Sequence, residues 1–224
     1  MRKLRELVLG VVGLIALNAL PAGAARGEEM NFRLVSVSGN CGARCAQMIA
    51  AEGEIGENTP DAFVNFIAQN VGRGNLHGVV LLDSPGGKVV ASMELGQAIR
   101  KLGMAVIVAR PAAQSADGIA LVSGRCYSAC VYALMGGKKR VIPAQSRVGS
   151  HRMFNYSTSF DFSEGLVRER NYDDGGMRAM LARYANGMGV SSELVNLAER
   201  TSPDQLYMLT GSDIARWRLG SRKL

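Results

Sequence analysis

Two short, almost wholly apolar runs, GVVLLD at 78–83 and MAVIVA at 104–109, flank a segment whose apolar residues recur at a helical spacing. A continuous apolar run that ends at a turn is what a strand covered on both faces needs, and strands of that kind are typically parallel. In the segment between them, KVVASMELGQAIRKLG, the residues Val89, Met93, Ile99 and Leu102 fall roughly on one face, and Gly103 is placed to end the helix. Strand, helix and strand in this order predict an α/β domain with a largely parallel sheet.

The flanking segments continue the pattern. FRLVSVSG at 32–39 alternates as a strand does. TPDAFVNFIAQN at 59–70 reads as a helix with Thr59 as its cap and Pro60 in the first helical position. IALVSGRCY at 119–127 predicts one further strand, and SACVYALMGG a short apolar helix closed by Gly136 and Gly137. KRVIP and SRVGSH are short strand pieces. From Phe162 onward the chain reads as mostly helical, including SSELVNLAER and a final helix opened by a capping box of Thr210 and Asp213.

The amino terminus has a different character. Arg2, Lys3 and Arg5 precede an apolar run from Leu7 to Leu20, followed by small residues around Ala22-Gly23-Ala24. The run is shorter than the ~20 residues a spanning helix needs, and the order is that of a secretory signal peptide cleaved after Ala24. Residues 1–24 are therefore expected to be a signal and 25–224 a single domain, with an uncleaved membrane anchor as the alternative. Removing the signal lowers the formal charge from +7 to +5. The remaining basic residues are scattered apart from KKR at 138–140 and the carboxyl terminus, so nucleic acid is not indicated as a partner.

All four cysteines, Cys41, Cys45, Cys126 and Cys130, lie in the part expected to be exported, where thiols oxidise. Two disulfides in any of three connectivities fit them. Zinc is the other reading of the paired C-x-x-x-C spacing; CYSAC argues against it because it runs into an apolar segment instead of a loop.

Ligand crevices in such sheets lie beyond the carboxyl ends of the strands, which directs attention to LLDSPGG and GRCYSAC. In the first, Gly86 and Gly87 let backbone amides approach a ligand closely, as a developing oxyanion requires; the plain alternative is an ordinary strand-to-helix turn. In the second, Ser128 begins a helix, where unpaired amides and the positive dipole end favour an anionic centre; serine is also a common helix cap. The chain has two histidines. His151, which follows the strand-like RVGS, is the candidate base for a serine nucleophile, whereas His77 at the start of GVVLL fits a structural role.

In their order along the chain, LLDSPGG, CYSAC, GGKKRVIPAQSRVGSH and LTGSDIARWRLG resemble the caseinolytic (Clp) peptidase and crotonase superfamily over about residues 78 to 220. The likeness is greatest to exported Clp-like serine peptidases. The resemblance implies a ClpP/crotonase-like α/β fold of repeated β-β-α and β-α units with a helical carboxyl-terminal part. It assigns the nucleophile to Ser128, the base to His151, and the oxyanion donors to Gly86, Gly87 and Ala129. The family's aspartate has no obvious counterpart: the position three before Leu209 is Leu206, and a count from Gly189 falls near Ser202. Asp204, bracketed by the two counts, is the candidate orienter, although an aspartate in SPDQ is also a turn former. No lysine lies between Arg140 and Arg222, so a downstream lysine base is absent and histidine is favoured.

These readings converge on an exported serine peptidase acting on peptide or protein without metal, cofactor or ATP, periplasmic or secreted, and a homo-oligomer as related folds are. An inactive scaffold with a binding or assembly role is the alternative. Acyl-coenzyme A chemistry fits poorly with export.

Overall fold

The computed structural model describes residues 28–36, 45–112, 120–173 and 175–223. The proposed signal, residues 1–24, and Cys41 lie outside them. The chain order begins β1 (Asn31–Ser36), β2 (Gln47–Glu52), α1 (Thr59–Asn70), β3 (Leu76–Asp83), α2 (Val89–Lys101) and β4 (Ala105–Ile107). It continues through β5 (Ala109–Pro111), β6 (Leu121–Ser123), β7 (Arg125–Tyr127), α3 (Cys130–Met135), β8 (Arg140–Val141) and β9 (Arg147–Ser150). Last come β10 (Phe154–Asp161), β11 (Gly165–Tyr172), α4 (Gly176–Gly187), α5 (Glu193–Arg200), β12 (Tyr207–Met208) and α6 (Gly211–Arg216).

The main sheet has the order β1-β2-β3-β4-β8, with every pair parallel except the edge pair β1 and β2. On β3, Val80 and Leu82 face the larger apolar cluster, which includes residues of α1, α2 and α3, while Leu81 faces a smaller cluster with Val35, Ala50, Ile107 and Val141. Both faces of β3 are thus apolar, which is why its sequence does not alternate. Leu81 and Leu82 are fully buried, and burial of side chains of this size contributes about 1.5–3 kcal/mol each. Among the described residues no helix is long and apolar enough to cross a membrane.

A second sheet, β12-β9-β7, carries the segments that matter for chemistry. Its β7 and β9 run parallel, with Tyr127 opposite Gly149, and β12 lies antiparallel on the other side of β9. IALVSGRCY is not one strand: it breaks at Gly124, so that β6 pairs with β5 while β7 joins β9. A side chain at Gly124 would reach within 2.7 Å of the Ala109 amide nitrogen, so this crossing point excludes any larger residue.

Three further differences from the sequence reading stand out. The α1 cap is Asn58, and the Thr59 hydroxyl instead accepts from the Gly56 amide at 2.9 Å. QMIAAE forms β2, although its sequence carries no strand signature. The stretch from Gly165 to Tyr172 is a strand and not a helix, because it pairs along its whole length with β10 in a long hairpin. Arg and Glu are good helix formers, but here cross-strand partners such as Phe154 opposite Tyr172 override that preference. The helical carboxyl-terminal part therefore begins at α4, which docks by a hydrogen bond from the Tyr184 hydroxyl to the Tyr132 carbonyl at 2.8 Å.

Candidate active site

Ser128 occupies the two-residue turn between β7 and α3 with a φ of 54°, in the left-handed region that non-glycine residues rarely adopt. The turn is sharp because β7 remains hydrogen-bonded to its neighbours right up to it. Ser84 donates its amide to the Arg125 carbonyl at 2.8 Å, and Tyr127 donates to the Ser84 carbonyl at 3.1 Å. Ser128 itself donates its amide to the Gly149 carbonyl of β9 at 2.8 Å. Immediately afterwards α3 starts and runs into the core, with all six of its residues fully buried. Ser128 is left half-buried at the junction.

The SPGG turn presses against this junction. A Cβ on Gly86 would lie 2.8 Å from the Tyr127 carbonyl oxygen and 2.9 Å from Ser128 Cβ, and its φ of 114° is itself a glycine conformation. The turn is shaped by Ser84, whose fully buried hydroxyl accepts the Gly86 amide at 3.1 Å. That bond occupies Gly86. By contrast, the amides of Gly87 and Ala129 have no acceptor among the described residues. The Ala129 amide directly follows Ser128 at the start of α3, and the Gly87 amide belongs to the turn whose Gly86 touches Ser128, so both are donors open to an oxyanion. The part played by Ser84 had a sequence signal, since a serine two residues before a glycine commonly closes such a turn.

His151 directly follows β9, and the pairing of Tyr127 with Gly149 brings the ends of β7 and β9 to the same edge of the sheet. The His151 ring nitrogen Nδ1 lies 2.9 Å from the Arg152 carbonyl oxygen. A carbonyl only accepts, so Nδ1 donates in this contact and Nε2 is the nitrogen left for another partner. The structure shows no direct hydrogen bond between Ser128 and His151. Catalytic hydrogen bonds are commonly loose before substrate arrives.

Asp204 makes no hydrogen bond to His151 among the described residues. It sits in the turn after α5, 70 % exposed, and accepts from Arg170 of β11 at 2.9 and 3.0 Å. The residue that lies against β9 is Leu206: a Cβ on Gly149 would come within 2.8 Å of its Cγ. Leu206 thus packs on β9, and the hydrogen-bond partner of the His151 ring is the Arg152 carbonyl. No sequence signal could reveal that partner, because every residue has a carbonyl. The loop bearing His151 is further anchored by Arg152, whose amide donates to the Thr201 carbonyl at 3.0 Å. Its guanidinium lies 3.6 Å from the Glu199 carboxylate. Glu199 is held above the ordinary carboxylate range, first by burial and also by Asp173; the Met153 amide, Arg152 and Arg178 pull it partly back.

Cys126 and Cys130 are joined in a disulfide that spans the Ser128 turn. Among the described residues no cysteine is free. A cleft of about 450 Å³ opens at the carboxyl ends of β2 and β3, between Glu52, Asp83, Arg110, Arg125 and Arg147. Neither Ser128 nor His151 lines it.

Parallel strands feeding helices, a glycine turn packed on a left-handed serine and a histidine directly after the adjoining strand belong to a mixed α/β chain whose fold matches that of ClpP-like proteases. Solved structures carry the same arrangement of the chain. A mutant of the 1510-N membrane-bound stomatin-specific protease matches with a TM-score of 0.50 at 17 % identity, covering 78 % of this chain and 78 % of that one. A second mutant of that protease, in complex with a substrate peptide, matches with a TM-score of 0.50 at 17 % identity, over 78 % of this chain and 74 % of that one. ClpP1 from Listeria monocytogenes matches with a TM-score of 0.51 at 16 % identity, over 80 % of this chain and 89 % of that one. No family model matches the sequence. No curated protein matches it either.

Proposed function

We propose that this chain is an exported serine hydrolase that cleaves peptides or proteins, with Ser128 as nucleophile and His151 as general base. The observation that carries the reading is Ser128 itself: a serine held at positive φ on a strand-to-helix turn, against a glycine turn, with the unengaged Ala129 amide directly after it. Backbone strain of this kind collects at functional sites because surrounding packing has to enforce it.

In the proposed reaction His151 Nε2 takes the proton of the Ser128 hydroxyl as Oγ attacks the substrate carbonyl carbon. The carbonyl oxygen becomes an oxyanion and accepts from the amides of Gly87 and Ala129. Collapse of the tetrahedral species breaks the peptide C–N bond, and the proton on His151 passes to the leaving amine. A water then repeats the sequence on the acyl-serine, releasing the acid and restoring the serine. With the Arg152 carbonyl in place of a carboxylate, the imidazolium lacks an anionic partner, so the reading is a Ser–His pair and turnover slower than that of a full triad.

Export is supported by the signal-like residues 1–24 and by the disulfide, which forms in oxidising compartments. A periplasmic or secreted location follows, with membrane proximity if the signal is retained. ATP plays no part in the reading, and a homo-oligomer is proposed on the strength of the fold.

The test is a fluorophosphonate probe applied to the mature protein and to Ser128→Ala, read by intact mass. An adduct on the parent alone is expected, with the substitution abolishing turnover and leaving the fold intact. A folded parent that takes no adduct moves the weight to an inactive scaffold, with Ser128 acting only as a turn residue.

A further inference from the structure

We propose that Cys126 and Cys130 are positioning residues for Ser128: their disulfide keeps α3 from extending backward through the nucleophile and so keeps the Ala129 amide unpaired. The inference rests on the serine hydrolase reading and adds to it the device that holds the site open.

The bond joins the middle residue of β7 to the first residue of α3 and encloses only Tyr127, Ser128 and Ala129. Helix N-termini have unsatisfied amides, and a helix gains bonds by growing at that end. Extending α3 by one turn would bring Ala129 and Cys130 carbonyl partners from β7, draw Ser128 into ordinary helical geometry and consume a proposed oxyanion donor. The chain offers no break there, since Ser128 and Ala129 run directly into Cys130 and neither glycine nor proline stands between β7 and α3. In a helix, side chains four apart have Cβ atoms roughly 5–6 Å from each other, whereas a disulfide needs them at about 3.5–4.5 Å. The Cys126–Cys130 bond, with its Cα atoms 5.3 Å apart, is therefore poorly compatible with a regular helix through Ser128. The other restraints on the turn, among them the Ser128 amide on Gly149, the Tyr127 amide on Ser84 and the close contact with Gly86, are non-covalent.

Both cysteines are fully buried within the main core cluster. Solvent reductant does not reach the sulfurs in the folded state, so the bond acts as a permanent clamp set during folding and not as a switch. The requirement for an oxidising compartment then extends from stability to activity itself.

The experiment compares the oxidised protein with the Cys126→Ala/Cys130→Ala double variant. It measures the second-order rate of fluorophosphonate labelling at Ser128, the thermal midpoint, and amide hydrogen exchange. The expected result is a labelling rate at least about tenfold lower, since misplacement of a reacting group by an ångström can cost about a hundredfold. The amides of Ser128, Val131 and Tyr132, whose acceptors all belong to this turn and to β9, are expected to show altered protection while α2 does not. Ile67→Ala, which opens a cavity in α1 far along the chain, serves as the control: it lowers the thermal midpoint without slowing labelling. A second arm reduces the parent with a dithiol under mild denaturant and then restores the bond with oxidised glutathione, two protein thiols giving one disulfide and two reduced glutathiones. Labelling should fall and return. A double variant that labels at the parent rate, or that changes only its thermal midpoint, overturns the proposal. If the parent takes no adduct, the hydrolase reading fails by itself, and hydrogen exchange still decides whether the bond holds the turn.

Discussion

From Cys126 to Met135 every residue except Tyr127 and Ser128 is buried, whereas along the hairpin from Phe154 to Tyr172 not one is. The first region is fixed by backbone packed on backbone: a glycine turn, a neighbouring strand and a disulfide all bear on the same five residues. The second is held by its own cross-strand pairs and by arginines over aromatic rings, Arg168 at 3.7 Å from the Tyr156 centroid and Arg170 at 4.6 Å from that of Phe154. Cation–π contacts on an exposed surface contribute about 0.5–1 kcal/mol each. A rare backbone conformation such as that of Ser128 persists only under the first kind of control.

The sharpest way to break this contrast is a pair of alanines at two glycines of positive φ. Gly86→Ala puts a methyl between the Tyr127 carbonyl and Ser128 Cβ. It should cost at least roughly 1–3 kcal/mol of stability and remove Ser128 labelling, as read by chemical denaturation and intact mass. Gly165→Ala, at the hairpin turn with φ +81° and no atom within 4 Å of the new methyl, should cost only about 1 kcal/mol and leave labelling alone. Equal effects at the two sites would mean that close packing does not define the serine turn.

A smaller effect concerns the Glu199 carboxylate behind the His151 loop. Its side chain is 11 % exposed and its proton is held more tightly in the folded state than in the unfolded chain, chiefly through burial. The folded protein then binds more protons, so this group makes stability fall as pH rises from the ordinary 4.5 toward the raised value. Glu199→Gln keeps an oxygen for the Met153 amide and removes the titration. Thermal midpoints recorded across that window should fall less steeply for the variant, and an unchanged slope would assign the pH dependence elsewhere.

The smallest effect expected is at Asp204. Because its carboxylate is exposed and engaged by Arg170 of the hairpin, Asp204→Asn should leave the labelling rate within about twofold of the parent. A loss of tenfold or more would restore Asp204 to the site through a rearrangement of the β11 contact.

Much of the scaffold was legible because local rules and global packing agree there. Thr59–Asn70 folds as a helix over the residues its period indicates, and the Thr210–Asp213 capping box forms with both of its hydrogen bonds. The Gly103 and Gly136 helix ends are likewise where punctuation places them. The hairpin and β2 were not legible, since strands that owe their existence to a partner carry their signal in the partner's sequence as much as in their own.

Apolar period and glycine placement act over a few residues, and for that reason the parallel sheet, the helix on its face and the serine between two cysteines can be read from the chain alone. Tertiary structure decided which amides remain unpaired, that Gly86 is occupied by Ser84, that Arg170 claims Asp204, and that a carbonyl faces His151. Those outcomes depend on contacts between segments distant in the chain, where hydrogen-bond partners are chosen by proximity in space and not by residue type.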